Sequence, residues 1–203
     1  MAGLGIGTSE RRPSLRVPRK RAGAALKAAA LHLNLCTFAA SGRWTKVNRA
    51  MAKIREIQSD KGAICNRILR ALPQWFGIET AIVNYARAVE SMPMFVAENE
   101  RGDAVGFLSL DFHNEYNAEI HVIAVLPEHH GKGFGTALVN AAEVCARKLG
   151  ARYLTVKTLS PSKPNEEYEK TRRFYRSVGF VPLEEFKTLW GEANPCLLMI
   201  KSL

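Results

Sequence analysis

The residues of this 203-residue chain with the clearest chemical potential form a glycine-rich run, His130-Gly131-Lys132-Gly133-Phe134-Gly135. The run follows an apolar stretch that Pro127 ends, and it precedes an amphipathic stretch. Glycines let the backbone approach an anion closely, and unpaired N–H groups at the start of a helix attract phosphate. The run therefore predicts a phosphate-binding loop between a strand and a helix. A tight turn without a ligand is the alternative interpretation.

The spacing of the glycines separates this run from two common phosphate loops. A Walker loop has the pattern Gly-x-x-x-x-Gly-Lys-Ser/Thr, and a dinucleotide-binding loop has Gly-x-Gly-x-x-Gly. The run Gly131–Gly135 fits neither pattern, and it follows a predicted hairpin instead of opening a βαβ unit. Both nucleotide-binding folds are therefore disfavoured.

Candidates for proton transfer lie on the strand before the glycine-rich run. Strict strand alternation places Ile120, Val122 and Ala124 on one face of the sheet and Glu119, His121 and Ile123 on the other. A carboxylate or an imidazole can accept a proton from a reacting group. Glu119 is the first candidate for this role and His121 the second. A solvated strand end and a histidine packed on the sheet are the respective structural alternatives.

The elements that position these residues follow from hydrophobic periodicity and from glycine and proline signals. Predicted strands cover Met51–Ile57, Phe95–Ala97, Ala104–Phe112, Glu119–Leu126, Tyr153–Thr158, Phe180–Val181 and Cys196–Ile200. Predicted helices run from Lys61 to Pro73 and over Ile78–Ser91, Gly135–Leu149 and Glu166–Val178. In the third helix, Leu138, Ala142, Cys145 and Leu149 are expected to face the core. This order of elements indicates an α/β (α+β) domain over residues 51–203, with a mixed sheet flanked by helices.

The first 50 residues differ in composition from the rest of the chain. They carry ten Lys and Arg but one Glu, and so account for +9 of the net charge of +10. The nearly neutral remainder gives no sign of nucleic-acid binding, and no aromatic residues accompany the basic run Arg16–Arg21. A disordered extension with one helix over Ala22–Leu35, a start codon placed upstream of Met51 and an organelle-targeting sequence all fit this composition.

The remaining bulk properties concern compartment and partners. No apolar run reaches the roughly 18 residues that a membrane span needs. Four cysteines are scattered along the chain without the close pairs of a zinc site. These features predict reduced thiols, a cytoplasmic protein, and neither a membrane nor a nucleic acid as partner. They leave open whether the chain forms a homodimer.

Two stretches resemble the GCN5-related N-acetyltransferase (GNAT) superfamily. Val125–Leu138 is similar to its acetyl-CoA signature, Gln/Arg-x-x-Gly-x-Gly/Ala, with His130 at the Gln/Arg position. Thr171–Phe180 is similar to a second element of the superfamily, a helix that follows the signature in the chain and ends in the pattern Phe/Leu-Tyr-x-x-x-Gly-Phe. Tyr168 stands where the superfamily often has an asparagine. The resemblance covers about residues 60–203 and implies a GNAT-type fold with a mostly antiparallel central sheet.

The resemblance also implies an activity and a set of roles. The activity is direct transfer of acetyl from acetyl-CoA, as co-substrate and without a metal, to an amine. Glu119 is expected as the general base and Tyr175 as the general acid, although an amphipathic helix could also bury Tyr175 as a core residue. The residues expected to contact the coenzyme are Ile123, Ala124, Val125, His130, Gly131, Lys132, Gly133, Phe134, Gly135, Thr136 and Phe174.

The acceptor is less constrained by the sequence. In GNAT folds the first helix pair walls the acceptor pocket, so Trp75 and Phe76, between the two helices, are candidate lining residues. Asp111, His113 and Glu115 could add negative potential for a cationic amine. A small cationic acceptor, such as an aminoglycoside-type antibiotic or a polyamine, is therefore expected. A protein N-terminal or lysine acetyltransferase and a non-catalytic acyl-CoA sensor are the alternatives.

Overall fold

The structure, a computed structural model, describes residues 52–203 and two short backbone segments before them. These segments are strands β1 (Cys36–Phe38) and β2 (Trp44–Lys46), which pair antiparallel and were not predicted. The predicted helix over Ala22–Leu35 lies outside the described residues. The three interpretations of residues 1–50 therefore remain predictions. Among the described helices, none combines the length and the apolar character that crossing a membrane requires.

A seven-stranded sheet forms the centre of residues 52–203. Its strands are β3 (Lys53–Ile57), β4 (Met94–Glu98), β5 (Ala104–Phe112), β6 (Asn117–Val125), β7 (Tyr153–Leu159), β8 (Val181–Phe186) and β9 (Cys196–Ser202). The order across the sheet is β3-β4-β5-β6-β7-β9-β8, and β6 and β7 are the one parallel pair in it. The predicted mixed, mostly antiparallel sheet is confirmed. β8 is longer than the predicted Phe180–Val181.

Four helices cover the two faces of the sheet. They are α1 (Lys61–Arg70), α2 (Glu79–Ala88), α3 (Phe134–Lys148) and α4 (Glu166–Ser177). The end of the predicted second helix, Val89–Ser91, is instead a 3-10 turn. The expectation that Leu149 faces the core is wrong. Leu149 lies one residue beyond α3, where the chain leaves the helix, and 56% of its surface is exposed.

Each face of the sheet carries its own apolar core. On one face Leu138 and Ala142 of α3 pack with Ile120 of β6 and with Tyr175 of α4. On the other face the core consists of α1, α2 and sheet residues, among them Ile68, Leu69, Ile82, Phe107 and Val122. Fully burying a large apolar side chain stabilises the fold by about 1.5–3 kcal/mol. The sheet is therefore held rigidly from both sides, which fixes the strands that carry the site.

A β-bulge at His121 breaks the alternation of β6. Ser109 pairs with Val122 and Leu110 pairs with Ile120, so His121 is the extra residue on its strand. Ile120 and Ile123 consequently share the α3 face. Val122 lies on the opposite face with α1 and α2. The predicted grouping of Ile120 with Val122 and Ala124 is therefore wrong, because the bulge reverses the alternation at His121.

β6 and β7 separate halfway along their length. Their pairing covers Asn117–Ile120 with Tyr153–Val156 and then stops. Both strands continue, β6 to Val125 and β7 to Leu159. The gap leaves one edge of each strand unpaired and opens a cleft in the middle of the sheet.

Candidate active site

A cavity of about 880 Å³ occupies the gap between β6 and β7. Its walls come from these two strands, the α1–α2 loop, the start of α3, α4 and the β8–β9 loop. All eleven residues predicted to contact the coenzyme line it: Ile123, Ala124, Val125, His130, Gly131, Lys132, Gly133, Phe134, Gly135, Thr136 and Phe174. The volume is that of a site for a sizeable small molecule.

The glycine-rich loop has the backbone geometry of an anion site. Gly131 and Gly133 have φ values of +70° and +88°, in the left-handed region that other residues adopt at a cost. Gly133 is also the N-cap of α3, and no side chain caps this helix. The first N–H groups of α3 therefore face the cavity wall without a capping acceptor, at the positive end of the helix dipole. The residues fit a phosphate or pyrophosphate group.

Gly135 has a different role, in helix packing. A Cβ atom at this position would lie 3.1 Å from two carbons of the Phe174 ring. The absence of a side chain lets α3 approach Phe174 of α4 in van der Waals contact. The loop and α4 thus meet at the cavity, although they are separated by about forty residues of chain.

His130, at the Gln/Arg position of the signature, binds its own strand. Its Nε2 lies 2.7 Å from the carbonyl oxygen of Val125. A carbonyl accepts but does not donate, so this nitrogen carries the proton. The imidazole also contacts Trp75 edge to face, with ring centroids 5.9 Å apart. His130 therefore links the end of β6 to the α1–α2 loop.

Tyr168 replaces the common asparagine and ties the α1–α2 loop to α4. Its hydroxyl donates to the carbonyl oxygen of Trp75 at 3.0 Å, and the indole Nε1 of Trp75 donates to Thr171 Oγ1 at 3.1 Å. Trp75 and Phe76 both line the cavity, and their contact with an acceptor stays a prediction. Phe76 packs edge to face on Tyr85 of α2.

His121 lies in the cavity wall in a neutral form. Its ring packs on Tyr85 at 5.3 Å, and among the described residues its buried Nε2 has no hydrogen-bond partner. Burial lowers the pKa of His121 below the usual 6.5, and the negative charges of Asp111 and Glu119 only partly oppose this. A neutral imidazole at neutral pH can accept a proton.

Glu119 is bound by two cationic groups. Its Oε2 accepts from His113 Nε2 at 2.8 Å and from Lys157 Nζ at 2.5 Å. Burial alone would raise the pKa of Glu119, but the hydrogen bonds from His113 and Lys157 outweigh it and hold the pKa below its usual range. The described lining of the cavity includes Lys157 but not Glu119. An ionised carboxylate with two strong donors is a weak acceptor for a further proton.

The three polar residues expected near the acceptor lie away from the cavity. Asp111 Oδ2 lies 4.0 Å from His113 Nδ1, and His113 Nε2 binds Glu119. Asp111 and His113 therefore form a cluster with Glu119, which is not part of the described lining. Glu115 is exposed in the turn between β5 and β6. None of the three belongs to the described lining of the cavity.

Tyr175 combines burial in the core with access to the cavity. It packs against Phe180, with ring centroids 5.7 Å apart, and 5% of its surface is exposed. It also lines the cavity. Burial raises the pKa of Tyr175, so the phenol stays protonated and can donate a proton. Core packing of Tyr175 is therefore observed, and its role as the general acid stays a prediction.

Several lining residues were not identified from the sequence: Tyr85, Lys157, Thr158 and Trp190. Lys157 could have been noticed, since it is a single charge within the otherwise uncharged strand β7. Trp190 lies in the β8–β9 loop, where no periodic pattern indicates its direction.

Comparisons with known proteins agree with this geometry. The family described as Acetyltransferase (GNAT) domain matches residues 90–182. An uncharacterized N-acetyltransferase of Methanocaldococcus jannaschii is 36% identical over 99 residues, which cover 46% of this chain and 41% of that protein. Another, of Chlorobaculum tepidum, is 25% identical over 111 residues, covering 53% of this chain and 64% of that protein. The chain thus spans less than two thirds of the length of either relative.

A solved structure shows the same fold. A GNAT-family protein of Desulfovibrio desulfuricans superposes with a TM-score of 0.64 at 18% identity, over 74% of this chain and 98% of that one. The family match includes the glycine-rich loop and helix α4, which carries Tyr175. Strands β6 and β7, which separate halfway along their length, also lie within the matched residues. Residues 90–182 therefore form part of a GCN5-related N-acetyltransferase (GNAT) domain.

Proposed function

We propose that this chain transfers an acetyl group from acetyl-CoA to an amine. One observation carries the proposal. A single cavity joins the uncapped start of α3, the unpaired edge of β6 and two proton-transfer groups, His121 and Tyr175. Each feature occurs elsewhere in proteins, but together they match the parts that acetyl transfer requires.

The donor is held mainly by the backbone. The pyrophosphate of acetyl-CoA binds the N–H groups of the loop at Gly131 and Gly133, and Lys132 adds a positive charge. The pantetheine arm lies along the unpaired edge of β6 at Ile123–Val125, as a further strand would. This path leads the thioester into the gap between β6 and β7.

The chemical step needs two proton transfers, and each has a candidate. The amine nitrogen forms a bond to the thioester carbonyl carbon, and the carbon–sulfur bond breaks. His121 accepts the proton that the amine loses, directly or through water. Tyr175 donates its proton to the leaving sulfur, which gives free coenzyme A. We prefer His121 to Glu119 as the base because Glu119 already accepts from Lys157 and His113.

The acceptor belongs to the proposal as well. A small cationic amine, such as an aminoglycoside-type antibiotic or a polyamine, was expected from the sequence. A protein N-terminus or a lysine side chain is the alternative. Because the acidic residues Asp111 and Glu115 lie outside the described lining, the cavity wall gives polycations no carboxylate partner.

The test is thiol release from acetyl-CoA by the full chain. Assays contain either no amine or one member of a panel of monoamines, polyamines, aminoglycosides and peptides, and calorimetry measures coenzyme binding in parallel. We expect coenzyme binding and amine-dependent thiol release. Tight binding without release for any amine would contradict the enzyme and support an acyl-CoA sensor.

A further inference from the structure

The aromatic side chains that line the cavity beyond the residues assigned to the coenzyme include Phe76 from the α1–α2 loop, Tyr85 from α2 and Trp190 from the β8–β9 loop. Phe76 and Tyr85 pack edge to face at 6.0 Å, and Tyr85 packs on His121. The candidate base therefore lies next to an aromatic surface. A ligand whose amine reaches His121 would place its body against these rings.

Among the large apolar residues of the described lining, Trp190 alone is exposed, with 41% of its surface accessible to solvent. Its loop is held in place: Gly191 N donates to Thr188 O at 3.0 Å, and Lys163 Nζ donates to Ala193 O at 2.8 Å. An anchored loop that presents a large, partly exposed indole is typical of a binding surface. A bound apolar group would remove this indole from water.

The charges of the wall disfavour a polycation. The ionised side chains in the described lining are Lys132, Lys157 and Lys170, and no Asp or Glu accompanies them there. The nearest carboxylate, Glu119, is already matched by Lys157 and His113. A polycation would lose hydration at several ammonium groups without gaining ion pairs. A ligand with one amine loses the hydration of a single ammonium group, and that group gives up its proton before it reacts in any case.

We propose that the acceptor is an aromatic monoamine, with its ring against Trp190 and the Phe76–Tyr85 pair and its amine at His121. This inference rests on the proposed function and specifies the substrate class of the same site. The amine of such a molecule is its reacting group, and the remainder of the molecule is apolar. The wall offers that remainder aromatic contacts. Of the lysines in the wall, Lys157 is paired with Glu119, Lys170 is paired with Glu167, and Lys132 belongs to the proposed coenzyme loop.

The first experiment compares amines that differ in one feature. The full chain is assayed for kcat/KM with 2-phenylethylamine, ethylamine, spermidine and kanamycin at saturating acetyl-CoA. Burial of one aromatic ring contributes about 1.5–3 kcal/mol, so 2-phenylethylamine should exceed ethylamine by about tenfold or more. It should also exceed spermidine and kanamycin. A polycation that reacts faster than 2-phenylethylamine overturns the proposal.

The second experiment locates the ring by mutation. Trp190→Ala should lower kcat/KM for 2-phenylethylamine by about fivefold or more and leave ethylamine and the KM for acetyl-CoA nearly unchanged. Trp190→Phe should retain most of the activity. Leu183→Ala is the matched control, since Leu183 is an exposed apolar residue of β8 outside the described lining. Equal losses for both amines in Trp190→Ala would contradict contact with the ring.

A binding measurement separates this inference from the proposed function. 2-Phenylethylamine is titrated into the coenzyme A complex of the wild type and of Trp190→Phe while tryptophan fluorescence is followed. A saturable change that the variant loses supports the aromatic site even if no amine is acetylated. Binding of spermidine but not of 2-phenylethylamine overturns the aromatic site, whether or not the chain proves to be an enzyme.

Discussion

The two ends of the cavity that we propose for acetyl-CoA and for the amine, the donor end and the acceptor end, are built from different kinds of group. The donor end depends on the backbone: two glycines in the left-handed region, an uncapped helix start and an unpaired strand edge. The acceptor end depends on side chains from α2, β6, α4 and two loops. Backbone geometry can be retained while side chains change. The donor end is therefore the part that a superfamily can share, and the acceptor end is the part in which members can differ.

The most severe test of this division is Tyr175→Phe, which removes one oxygen atom at the acceptor end. Loss of a general acid lowers kcat by about 10²–10⁴-fold. The donor end is untouched, so the affinity for coenzyme A should stay within about twofold of the wild type. Steady-state kinetics and coenzyme titration measure the two quantities.

The same substitution also has a stability readout. The hydroxyl of Tyr175 forms no hydrogen bond with another described residue, and its ring packs among core residues. Phenylalanine preserves that packing, so the urea midpoint should not fall. A lower midpoint together with weaker coenzyme binding would show that Tyr175 acts through the fold and not as an acid.

Two substitutions on β6 distinguish the candidate bases. His121→Gln should lower kcat by about 10²-fold if His121 is the base, and Glu119→Gln should lower it less. Because His121 must be neutral to act, wild-type kcat/KM should fall as the pH drops through its pKa, which lies below 6.5. Glu119→Gln should retain this acid limb and His121→Gln should lose it. The opposite pattern would assign the base to Glu119.

The sequence predicted the two ends unequally, and the reasons are physical. Gly131 and Gly133 are visible in the sequence because left-handed backbone selects glycine. The bulge at His121 is not visible, because it arises from pairing with β5 and reverses the faces that alternation assigns. Likewise, Glu119 and Lys157 are 38 residues apart in the chain, and their ion pair depends on the tertiary fold. The sequence therefore shows the carboxylate of Glu119 but not the groups that bind it.

The aromatic wall illustrates the same limit. Trp75 and Phe76 were noticed as adjacent aromatic residues in a loop, whereas Trp190 was not noticed. A loop residue has no periodicity, and its direction depends on tertiary contacts such as the one from Lys163 to Ala193. The elements, their order and the donor loop follow from local patterns. The constellation of side chains at the acceptor end requires the fold.

A backbone substitution at the donor end should have an intermediate effect. Gly133→Ala forces a Cβ into a left-handed residue at a cost of about 1–2 kcal/mol, although space for the atom is open. If the loop shifts to relieve this cost, the dissociation constant for coenzyme A should rise by about five- to thirtyfold. At saturating acetyl-CoA, kcat should change little.

Gly102→Ala is the matched control for Gly133→Ala. Gly102 has a φ of +86°, with open space around its Cβ position, in the β4–β5 turn outside the described lining. It should lose similar stability and keep its affinity for coenzyme A. If both variants lose affinity equally, general destabilisation and not the loop geometry would be responsible.

The smallest expected effect concerns the cluster of Asp111, His113, Glu119 and Lys157. The hydrogen bond to Glu119 raises the pKa of His113, against a smaller opposing effect of burial. A raised pKa means that the stabilisation is fully present below the usual 6.5 and is lost as the pH rises through the higher value in the folded protein. The side chain of His113 is 42% exposed, so solvent screening limits the contribution to about 0.5 kcal/mol. Urea unfolding of the wild type and His113→Ala should therefore differ more at about pH 6 than at about pH 8.5.

The pKa of Glu119 is lowered, so its carboxylate stays ionised at both pH values, and Asp111 and Lys157 are the other charges that act on the His113 ring. In a Glu119→Gln background the pH dependence of the His113→Ala effect should disappear, since the partner that raises the pKa is gone. If it persists there, Asp111 and not Glu119 is the effective partner of His113.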